Sequence, residues 1–393
     1  MRVAQVVPMF SNRFGGPVTM VADAAEVLDH QGVTGTIYAT DLGKAPWAKD
    51  WRSILPEELP ANADVLDYEL FPVKAPHRLL YSPGLASRLD EVIKNYDVVH
   101  IHSLWLHPQY AAQRAARKAG VPYVVSLHGA LDPYLRQRGK ARKALTSKLW
   151  QDGMLEHANV LHVTTTAEQE LTDDIAPSVP RVIVPNGTWV DRLAPADANG
   201  DRFRQEFLGG FDGPLALFLG RINFKKGLEL LIDSFTHVVA ETPNAQLAII
   251  GPDDEGLLPA LEARVAALGL TDHITFTGAL YDPHRTDALA AADVWCLSSH
   301  SENFGIAVIE AMAAKCATVI SPAVNLADEV IADNAGVVAE LEPEKFGRAI
   351  SDLFADPVRR AEVAAAGERF ARKFDWPVVA PQLIEMYEQA ARK

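Results

Sequence analysis

Short apolar runs alternate with longer segments of helical spacing along almost the whole chain. In the first half the strand-like runs lie at 3–7, 33–39, 97–102, 123–127, 160–163 and 182–184. The same pattern resumes in the second half at 215–219, 246–250, 274–277 and 294–297. Apolar strands separated by helices are typical of parallel sheets with helices on both faces. The pattern predicts an α/β protein in which each half is a doubly wound parallel sheet.

The two halves are separated by a polar stretch at about 193–199, which contains Pro195, Asp197 and Asn199. A chain of 393 residues exceeds the size at which one hydrophobic core stops growing, so two domains are expected. We therefore predict an N-terminal domain over 1–194 and a second domain that begins at residue 195.

Composition narrows the class of protein. The hydrophobic fraction of 48% and the charged fraction of 22% are typical of a soluble globular protein. A formal charge of −14 argues against a nucleic-acid binder that works by neutralising phosphates. The first apolar run reaches polar residues at Ser11 and is too short for a signal peptide or a membrane span, so we expect a cytoplasmic protein. Cys296 and Cys316 stand in apolar surroundings and are expected to be reduced core residues.

The most informative stretch is 293–321, DVWCLSSHSENFGIAVIEAMAAKCATVIS. A strand leads through a polar turn into a helix that is predicted to begin at about Phe304 or Gly305. Glu302 stands just before this helix, and helix N-termini favour acidic side chains. Glu310 lies in an apolar run of a helix that is predicted to be largely buried, where an unpaired glutamate is rare. The hydroxyls of a bound sugar could donate to both of its carboxylate oxygens.

Arg221 and Lys226 lie between the end of the strand at 215–219 and the start of the next helix. This loop is expected at the same edge of the sheet as Glu302 and Glu310. Taken alone, the two cations could be solvated loop charges. With the two glutamates in the same domain, we favour an interpretation as a phosphate-binding site.

Two features of the first half lie at predicted carboxyl ends of strands. Gly15 and Gly16 follow the first strand and precede Pro17, but they do not form a G-x-G-x-x-G fingerprint. They either make a turn or let the backbone approach a ligand closely. His128 directly follows the strand at 123–127, which is typical of a ligand-contacting side chain, although a structural loop histidine is the alternative.

Metal and membrane chemistry have weaker support in the sequence. His100 and His102 share one face of a strand, but no third metal ligand is suitably spaced, so hydrogen bonding is the preferred interpretation. No Asp-x-Asp triplet occurs in the chain. The basic run Arg136–Lys148 is either a solvated face or a docking surface for an anionic acceptor or membrane headgroups.

Several motifs together resemble the retaining glycosyltransferases of family 4, which have the GT-B architecture. They are DVVHIHS from Asp97, SLHG from Ser126, VPNG from Val184, GRINFKKG from Gly220, FTG from Phe276, SENFGIAVIEAMA from Ser301 and FDW from Phe374. The resemblance covers nearly the whole chain. It implies two Rossmann-like domains that face an interdomain cleft, the second over 195–373, with a terminal helix over 374–393 that crosses back to the first.

The resemblance also implies roles for the candidate residues. Arg221 and Lys226 would bind the diphosphate of a nucleoside diphosphate sugar (a UDP-, GDP- or ADP-sugar), and Glu310 would accept the ribose hydroxyls. The transferred sugar would contact Glu302 and the backbone of Asn303, Phe304 and Gly305 in the second domain. From the first domain it would contact His128. Gly15 and Gly16 would lie near the diphosphate and the acceptor.

The family resemblance further implies transfer of a hexose-type sugar, with retention, to a glycan or lipid-linked acceptor. No cofactor and no metal are expected, and the setting would be synthesis of exopolysaccharide or cell-surface glycan, in the cytoplasm or at the inner face of the membrane. Gly129 and the pair Thr188, Trp189 depart from residues common in the family, which leaves the sugar and acceptor open. The alternatives are a nucleotide-sugar epimerase, a pyridoxal-dependent phosphorylase and a non-catalytic sugar-binding protein.

Overall fold

The computed structural model describes residues 1–14, 16–43, 52–133, 150–253 and 255–392. The chain divides into two compact units. Unit 1 comprises Met1–Gly187 and Trp376–Lys393, and unit 2 comprises Thr188–Asp375. Each unit contains one parallel β-sheet with helices, so the predicted class of two doubly wound α/β domains is confirmed.

The unit 1 sheet has the strand order β3-β2-β1-β4-β5-β6-β7, and all its neighbouring strands are parallel. Its strands are β1 (Arg2–Met9), β2 (Thr34–Thr40), β3 (Tyr68–Phe71), β4 (Val98–His102), β5 (Tyr123–Ser126), β6 (Val160–Val163) and β7 (Arg181–Ile183). The strand order reverses between β1 and β4. In open α/β sheets, ligands bind at the carboxyl edge beside such a reversal.

The unit 2 sheet repeats this topology, with the order β10-β9-β8-β11-β12-β13 and parallel pairing throughout. Its strands are β8 (Leu215–Leu219), β9 (Gln246–Ile250), β10 (Ile274–Gly278), β11 (Val294–Leu297), β12 (Ala317–Ile320) and β13 (Val337–Val338). Here the order reverses between β8 and β11. The loops that carry the predicted site residues of this unit follow those two strands.

The described α-helices lie between these strands or, for the last three, after β13. They are α1 (Gly16–Asp29), α2 (Pro83–Val92), α3 (His107–Ala119), α4 (Asp152–Glu156), α5 (Thr166–Glu170), α6 (Gly200–Phe207), α7 (Leu228–Glu241), α8 (Leu258–Ala267), α9 (His284–Ala291), α10 (Ile306–Ala313), α11 (Ala327–Ala332), α12 (Pro343–Ala355), α13 (Pro357–Ala371) and α14 (Trp376–Ala391). Among the described helices, none combines the length and apolar character needed to cross a membrane.

Burial follows the hydrophobic pattern of the sequence. Every residue of β4 and of β11 is buried, as expected for central strands covered on both faces. On α12 the buried residues Phe346, Ile350, Leu353 and Phe354 recur at helical spacing and form one stripe, which packs against α7. Cys296 and Cys316 are buried and unpaired, which confirms their interpretation as core residues.

The structure places the junction between the units earlier than residue 194. Thr188 donates its backbone N–H to the carbonyl of Phe374 at 2.9 Å, and Val190 donates its N–H to Asp375 Oδ1 at 3.2 Å. Val190 is also a buried member of the unit 2 core. Residues 188–194 therefore belong to unit 2, and so do Phe374 and Asp375; the return to unit 1 begins at Trp376, which packs against Gly187.

Three strands are absent from the sequence prediction: β3, β13 and the buried strand β12, which follows the helix of the stretch 293–321. Residues 41–83 are rich in proline and tryptophan and show no clear period in the sequence, yet they contain β3, an edge strand whose four residues are all half-buried. A strand exposed in this way lacks both the continuous apolar run of a central strand and a clean alternation. The edge strand β13 is only two residues long. The basic run Arg136–Lys148 lies outside the described residues.

Candidate active site

Two strand-to-helix loops meet at the strand-order reversal of unit 2. The loop after β8 leads into α7, and the loop after β11 leads into α10. Each helix begins directly after a glycine in the left-handed conformation, Gly227 (φ 61°) and Gly305 (φ 75°). The first turn of a helix carries backbone N–H groups without intrahelical partners and a partial positive charge. This edge of unit 2 therefore carries two helix N-termini suited to an anion.

The two loops are fixed to each other by hydrogen bonds. Ser298 donates its hydroxyl to the carbonyls of Lys226 (3.1 Å) and Gly227 (2.9 Å). His300 donates its backbone N–H to the carbonyl of Lys225 at 2.7 Å. A Cβ at Gly227 would lie 2.0 Å from the carbonyl oxygen of Ser298, so only glycine permits this approach. The close contact holds Lys226 beside the β11 loop.

Lys226 and Glu302 form an ion pair across these loops. Their side chains are 20% and 21% exposed, so both charges remain accessible to a ligand. The structure thus brings together a cation and a carboxylate that are 76 residues apart in sequence. Glu302 is not a first-turn charge of α10, because the helix begins only at Ile306.

The turn from Glu302 to Gly305 is held by the loop that follows β12. Glu302 donates its N–H to the carbonyl of Ala323 and accepts from the N–H of Asn325, both at 3.0 Å. The Asn325 side-chain amide donates to Asn303 Oδ1 at 3.4 Å. These contacts give a fixed backbone at the position predicted to hold the transferred sugar.

Phe304 and Gly305 complete this turn in different ways. The Phe304 ring is 2% exposed and packs edge-on against Phe374, with 5.4 Å between ring centroids. Its side chain therefore belongs to the core, and only its backbone could contact a ligand. Gly305 is the N-cap residue of α10.

Glu310 has a protein partner that the sequence analysis missed. Arg285 Nη1 lies 3.2 Å from Glu310 Oε1, and Arg285 Nε lies 3.3 Å from Asp282 Oδ1. The charges of Glu310 and Asp282 raise the pKa of the Arg285 guanidinium. The partner that a buried glutamate needs is therefore supplied in part by the protein itself, because α9 brings an arginine to Glu310 from 25 residues away in sequence. Glu310 is still 19% exposed, which leaves part of the carboxylate accessible.

Arg221 lies two residues after the end of β8 and is exposed. It shares with Lys226 the loop that follows β8 at the strand-order reversal of unit 2. Its neighbour Ile222 is buried and forms a bridge with Asp253, which fixes the start of the loop.

Gly16 and His128 lie in unit 1. Gly16 is the first residue of α1, which follows β1 at the strand-order reversal; Gly15 lies outside the described residues. His128 follows β5 and adopts a left-handed backbone conformation with φ 48°. The next residue, Gly129, donates its N–H to Glu168 Oε1 at 2.7 Å. A buried carboxylate thus holds the loop that carries His128.

Glu168 has a wider role than the capping box that the spacing Thr165-x-x-Glu168 predicts. Thr165 caps α5 as expected, because its hydroxyl accepts the Glu168 N–H at 3.0 Å. The Glu168 carboxylate does not bond back to the Thr165 backbone. It accepts from the N–H and hydroxyl of Thr164, at 2.7 and 2.9 Å, and from Gly129. The spacing Thr165-x-x-Glu168 fits a cap equally well and gave no sign of the second connection.

The histidines of β4 are engaged in hydrogen bonds. His102 Nδ1 lies 3.1 Å from His128 Nε2, and His100 contacts Ser126 and Tyr387. Burial lowers the pKa values of His100 and His102 well below the usual range, and neighbouring histidines lower them further. For His128, burial together with the nearby His162 lowers the pKa to about 3. Within the described ranges, no group of three or more His, Cys, Asp or Glu side chains is placed to hold a metal ion.

Comparison with protein families identifies both halves of the chain. Residues 201–370 match the family described as glycosyl transferases group 1, and residues 15–187 match the glycosyl transferase 4-like domain. The chain is 29% identical over 416 residues to a phosphatidyl-myo-inositol mannosyltransferase of Mycobacterium leprae, an alignment that covers 100% of this chain and 97% of that protein. It is 30% identical over 322 residues to a D-inositol 3-phosphate glycosyltransferase of Kineococcus radiotolerans, covering 76% of this chain and 73% of that protein.

A solved structure supports the same conclusion for the fold. The crystal structure of the Anabaena protein HepE in complex with UDP and glucose matches with a TM-score of 0.77 over 99% of both chains, at 17% identity. The present chain has the topology expected of GT-B glycosyltransferases, with two parallel-sheet α/β units. From its two domain matches and its relatives, the chain belongs to the family 4 glycosyltransferases and is a glycosyltransferase with the GT-B fold.

Proposed function

We propose that this glycosyltransferase moves a hexose-type sugar from a nucleoside diphosphate sugar to a hydroxyl of a glycan or lipid-linked acceptor, with retention of anomeric configuration and without a metal ion. The observation that carries the proposal is the cluster in unit 2. There Lys226 and two helix N-termini lie at one sheet edge, beside Glu302 and within the same unit as Glu310. Cations and N–H groups suit a diphosphate, and carboxylates suit sugar hydroxyls.

The diphosphate is proposed to bind at Lys226 and the N-terminus of α7, with Arg221 on the same loop. Cleavage of the bond between sugar and diphosphate leaves negative charge on the leaving group, which needs preorganised donors. Each such donor contributes about 3–4 kcal/mol to transition-state stabilisation by analogy with oxyanion holes. Lys226 then exchanges part of its contact with Glu302 for a phosphate oxygen.

Glu310 is proposed to accept the ribose hydroxyls of the nucleotide. Arg285, from the first turn of α9, occupies part of this carboxylate, and the side chain of Glu310 is still 19% exposed, so the remainder is open to the nucleotide. Two hydroxyls that donate to one carboxylate would form charge-assisted hydrogen bonds, which are stronger than neutral ones.

The transferred sugar is proposed to contact Glu302, the backbone of Asn303, Phe304 and Gly305, and His128, with Gly15 and Gly16 near the diphosphate and acceptor. In the proposed retaining reaction the acceptor hydroxyl attacks from the side of the leaving group. The bond from the acceptor oxygen to the anomeric carbon forms as the bond to the diphosphate oxygen breaks. The acceptor proton passes to a diphosphate oxygen, so no side-chain nucleophile is required.

An aromatic cavity of unit 1 is a candidate for acceptor binding. It has a volume of about 340 Å³ and lies at the start of α3, where Tyr81, His107, Tyr110 and Trp150 contribute to its wall. The Tyr81 and His107 rings meet edge-on at 4.7 Å. Aromatic walls with a few polar groups suit a sugar or the apolar part of a lipid-linked acceptor.

A thermal-shift panel tests the proposal. UDP, GDP, ADP and their sugars are compared, and one nucleotide series is expected to raise the melting temperature by several degrees, since a ligand at 100 times its Kd stabilises by about 2.7 kcal/mol. Lys226→Ala should abolish most of that shift. Lys345→Ala, which removes a lysine from another ion pair with a glutamate of unit 2, should leave it intact. No shift with any nucleotide would overturn the proposal.

A further inference from the structure

Four histidines of unit 1 belong to one hydrogen-bond network that ends at His128. Its members in order are the carbonyl of Val184, His162, Ser126, His100, Tyr387, Gln5, His102 and His128. All of these except His128 are no more than 4% exposed. Donor binding alone does not require such an arrangement.

The direction begins at Val184, because a backbone carbonyl can only accept. His162 Nε2 lies 2.8 Å from this oxygen and therefore carries a proton. Burial lowers the pKa of His162, so the ring is neutral and its Nδ1 is an acceptor. Ser126 Oγ, at 2.6 Å from that Nδ1, must donate to it.

The serine hydroxyl has only one proton, which is directed to His162. Ser126 must therefore accept from His100 Nε2, which lies 2.6 Å away. The buried His100 is likewise neutral, which makes its Nδ1 an acceptor. Tyr387, whose hydroxyl lies 2.8 Å from this Nδ1, donates to it.

Tyr387 has then used its proton, so it accepts from Gln5 Nε2 at 3.1 Å. This fixes the orientation of the Gln5 amide, whose Oε1 faces His102 Nε2 at 2.7 Å. His102 must carry its proton on Nε2 and present an unprotonated Nδ1. His128 Nε2, at 3.1 Å from that nitrogen, is therefore the donor. Each orientation follows from the previous one, and none conflicts with the recorded geometry.

We propose that this network holds His128 as the Nε2–H tautomer and leaves Nδ1 as a hydrogen-bond acceptor for a ligand. No bond to His128 Nδ1 occurs among the residues that the structure describes. The group it recognises must be a donor such as a hydroxyl. Combined with the proposed function, on which this step rests, the ligand group is a hydroxyl of the transferred sugar. Ser126, Tyr387 and Gln5 are positioning residues that act through His102.

An unprotonated Nδ1 on His128 affects which donor sugars bind. A donor sugar whose contacted hydroxyl is replaced by fluorine offers only an acceptor and should bind more weakly than the parent sugar. If the tautomer were Nδ1–H, fluorine would be tolerated better than hydrogen at that position. This comparison is informative only if the enzyme uses a nucleotide sugar. A second readout must therefore be independent of the substrate.

Nitrogen NMR of the full-length protein with ¹⁵N-labelled histidine provides that readout without any substrate. His128 is assigned by its loss in His128→Asn. The wild type is expected to show one tautomer, with a protonated Nε2 and an unprotonated Nδ1. In Ser126→Ala the anchor to Val184 is cut, so the remaining network can run in either direction and a second His128 tautomer should appear.

Tyr387→Phe tests the same link from a residue distant in sequence and should also produce the second tautomer. Tyr96→Phe is the matched control, because it removes another buried hydroxyl of unit 1 that bonds to Thr36 and Tyr38 instead. It should leave His128 unchanged. A protonated Nδ1 in the wild type, or one unchanged tautomer in both Ser126→Ala and Tyr387→Phe, would overturn the proposal whether or not the enzyme uses a nucleotide sugar.

Discussion

Glu302 and Glu310 each contact one cation of unit 2, and the two ion pairs limit what each residue can do. An ion pair that is largely buried is weak evidence for stability, because desolvation of the two charges offsets much of their attraction. Lys226 and Glu302 are each about one-fifth exposed, and so is Glu310. Stability alone therefore gives little reason for these residues, whereas positioning of charges for a ligand gives a direct one.

Glu310→Gln and Arg285→Gln separate these two roles. Both variants break the same ion pair, but only the first removes the carboxylate that is proposed to bind the ribose. Glu310→Gln is expected to raise the donor Kd by about 10- to 100-fold, since a hydrogen bond to a charged group contributes about 1.5–3 kcal/mol. Arg285→Gln should change it by less than about threefold. Calorimetric titration with the nucleotide checks this, and equal losses in both variants would contradict the ribose role.

At the scale of elements, Gly227 joins β8 to α7 and sets the position of Lys226. Its backbone is left-handed and a Cβ would collide with the Ser298 carbonyl. Gly269, after α8, is also left-handed (φ 72°), but a Cβ there meets nothing within 4 Å. The pair therefore distinguishes backbone strain from the collision.

Gly269→Ala is expected to lower the free energy of unfolding by about 1 kcal/mol and to leave nucleotide affinity unchanged. Gly227→Ala should lower it by more than this, and it should weaken nucleotide binding because the two loops must separate. Urea unfolding followed by nucleotide titration measures both effects. If Gly227→Ala binds nucleotide as tightly as Gly269→Ala does, the close approach of the loops is not what positions Lys226.

The sequence predicted these elements better than the contacts among them. Buried parallel strands such as β4 and β11 give continuous apolar runs, and the polar residues at their carboxyl ends marked Glu302, Lys226 and His128. The Arg285–Glu310 pair could not be predicted in this way, because an arginine in the first turn of α9 has no local pattern that names its partner. The same holds for Glu168, whose second contact depends on how β5 and β6 lie side by side.

At the scale of the whole molecule, each unit contains a fully buried tryptophan. Trp376 opens α14, the segment that returns to unit 1 and packs against Gly187. Trp295 lies on β11 in the centre of the unit 2 sheet. The family resemblance implied a terminal helix over 374–393 that crosses back to the first domain, but the junction between the units depends on backbone contacts at Thr188 and Asp375 that leave no hydrophobic signal.

Trp376→Ala and Trp295→Ala test this division of the chain. Each is expected to cost about 3–5 kcal/mol, as is typical for removal of a buried aromatic side chain. Hydrogen exchange measured by mass spectrometry should rise mainly in peptides of 1–187 and 376–393 for the first variant, and mainly in those of 188–375 for the second. Val378→Ala, at a site that is 48% exposed, is the control. If Trp376→Ala instead speeds exchange mainly in peptides of 188–375, the assignment of α14 to unit 1 is contradicted.

The most direct test of the proposed activity is the rate of nucleoside diphosphate release from the matching nucleotide sugar, measured in the presence of EDTA. The wild type and Lys345→Ala are expected to release it, whereas Lys226→Ala should lose about 100-fold or more in kcat/KM, since one donor to the developing charge contributes about 3–4 kcal/mol. The account is contradicted if no UDP-, GDP- or ADP-sugar is consumed by the wild type, or if Lys226→Ala releases the diphosphate at the wild-type rate.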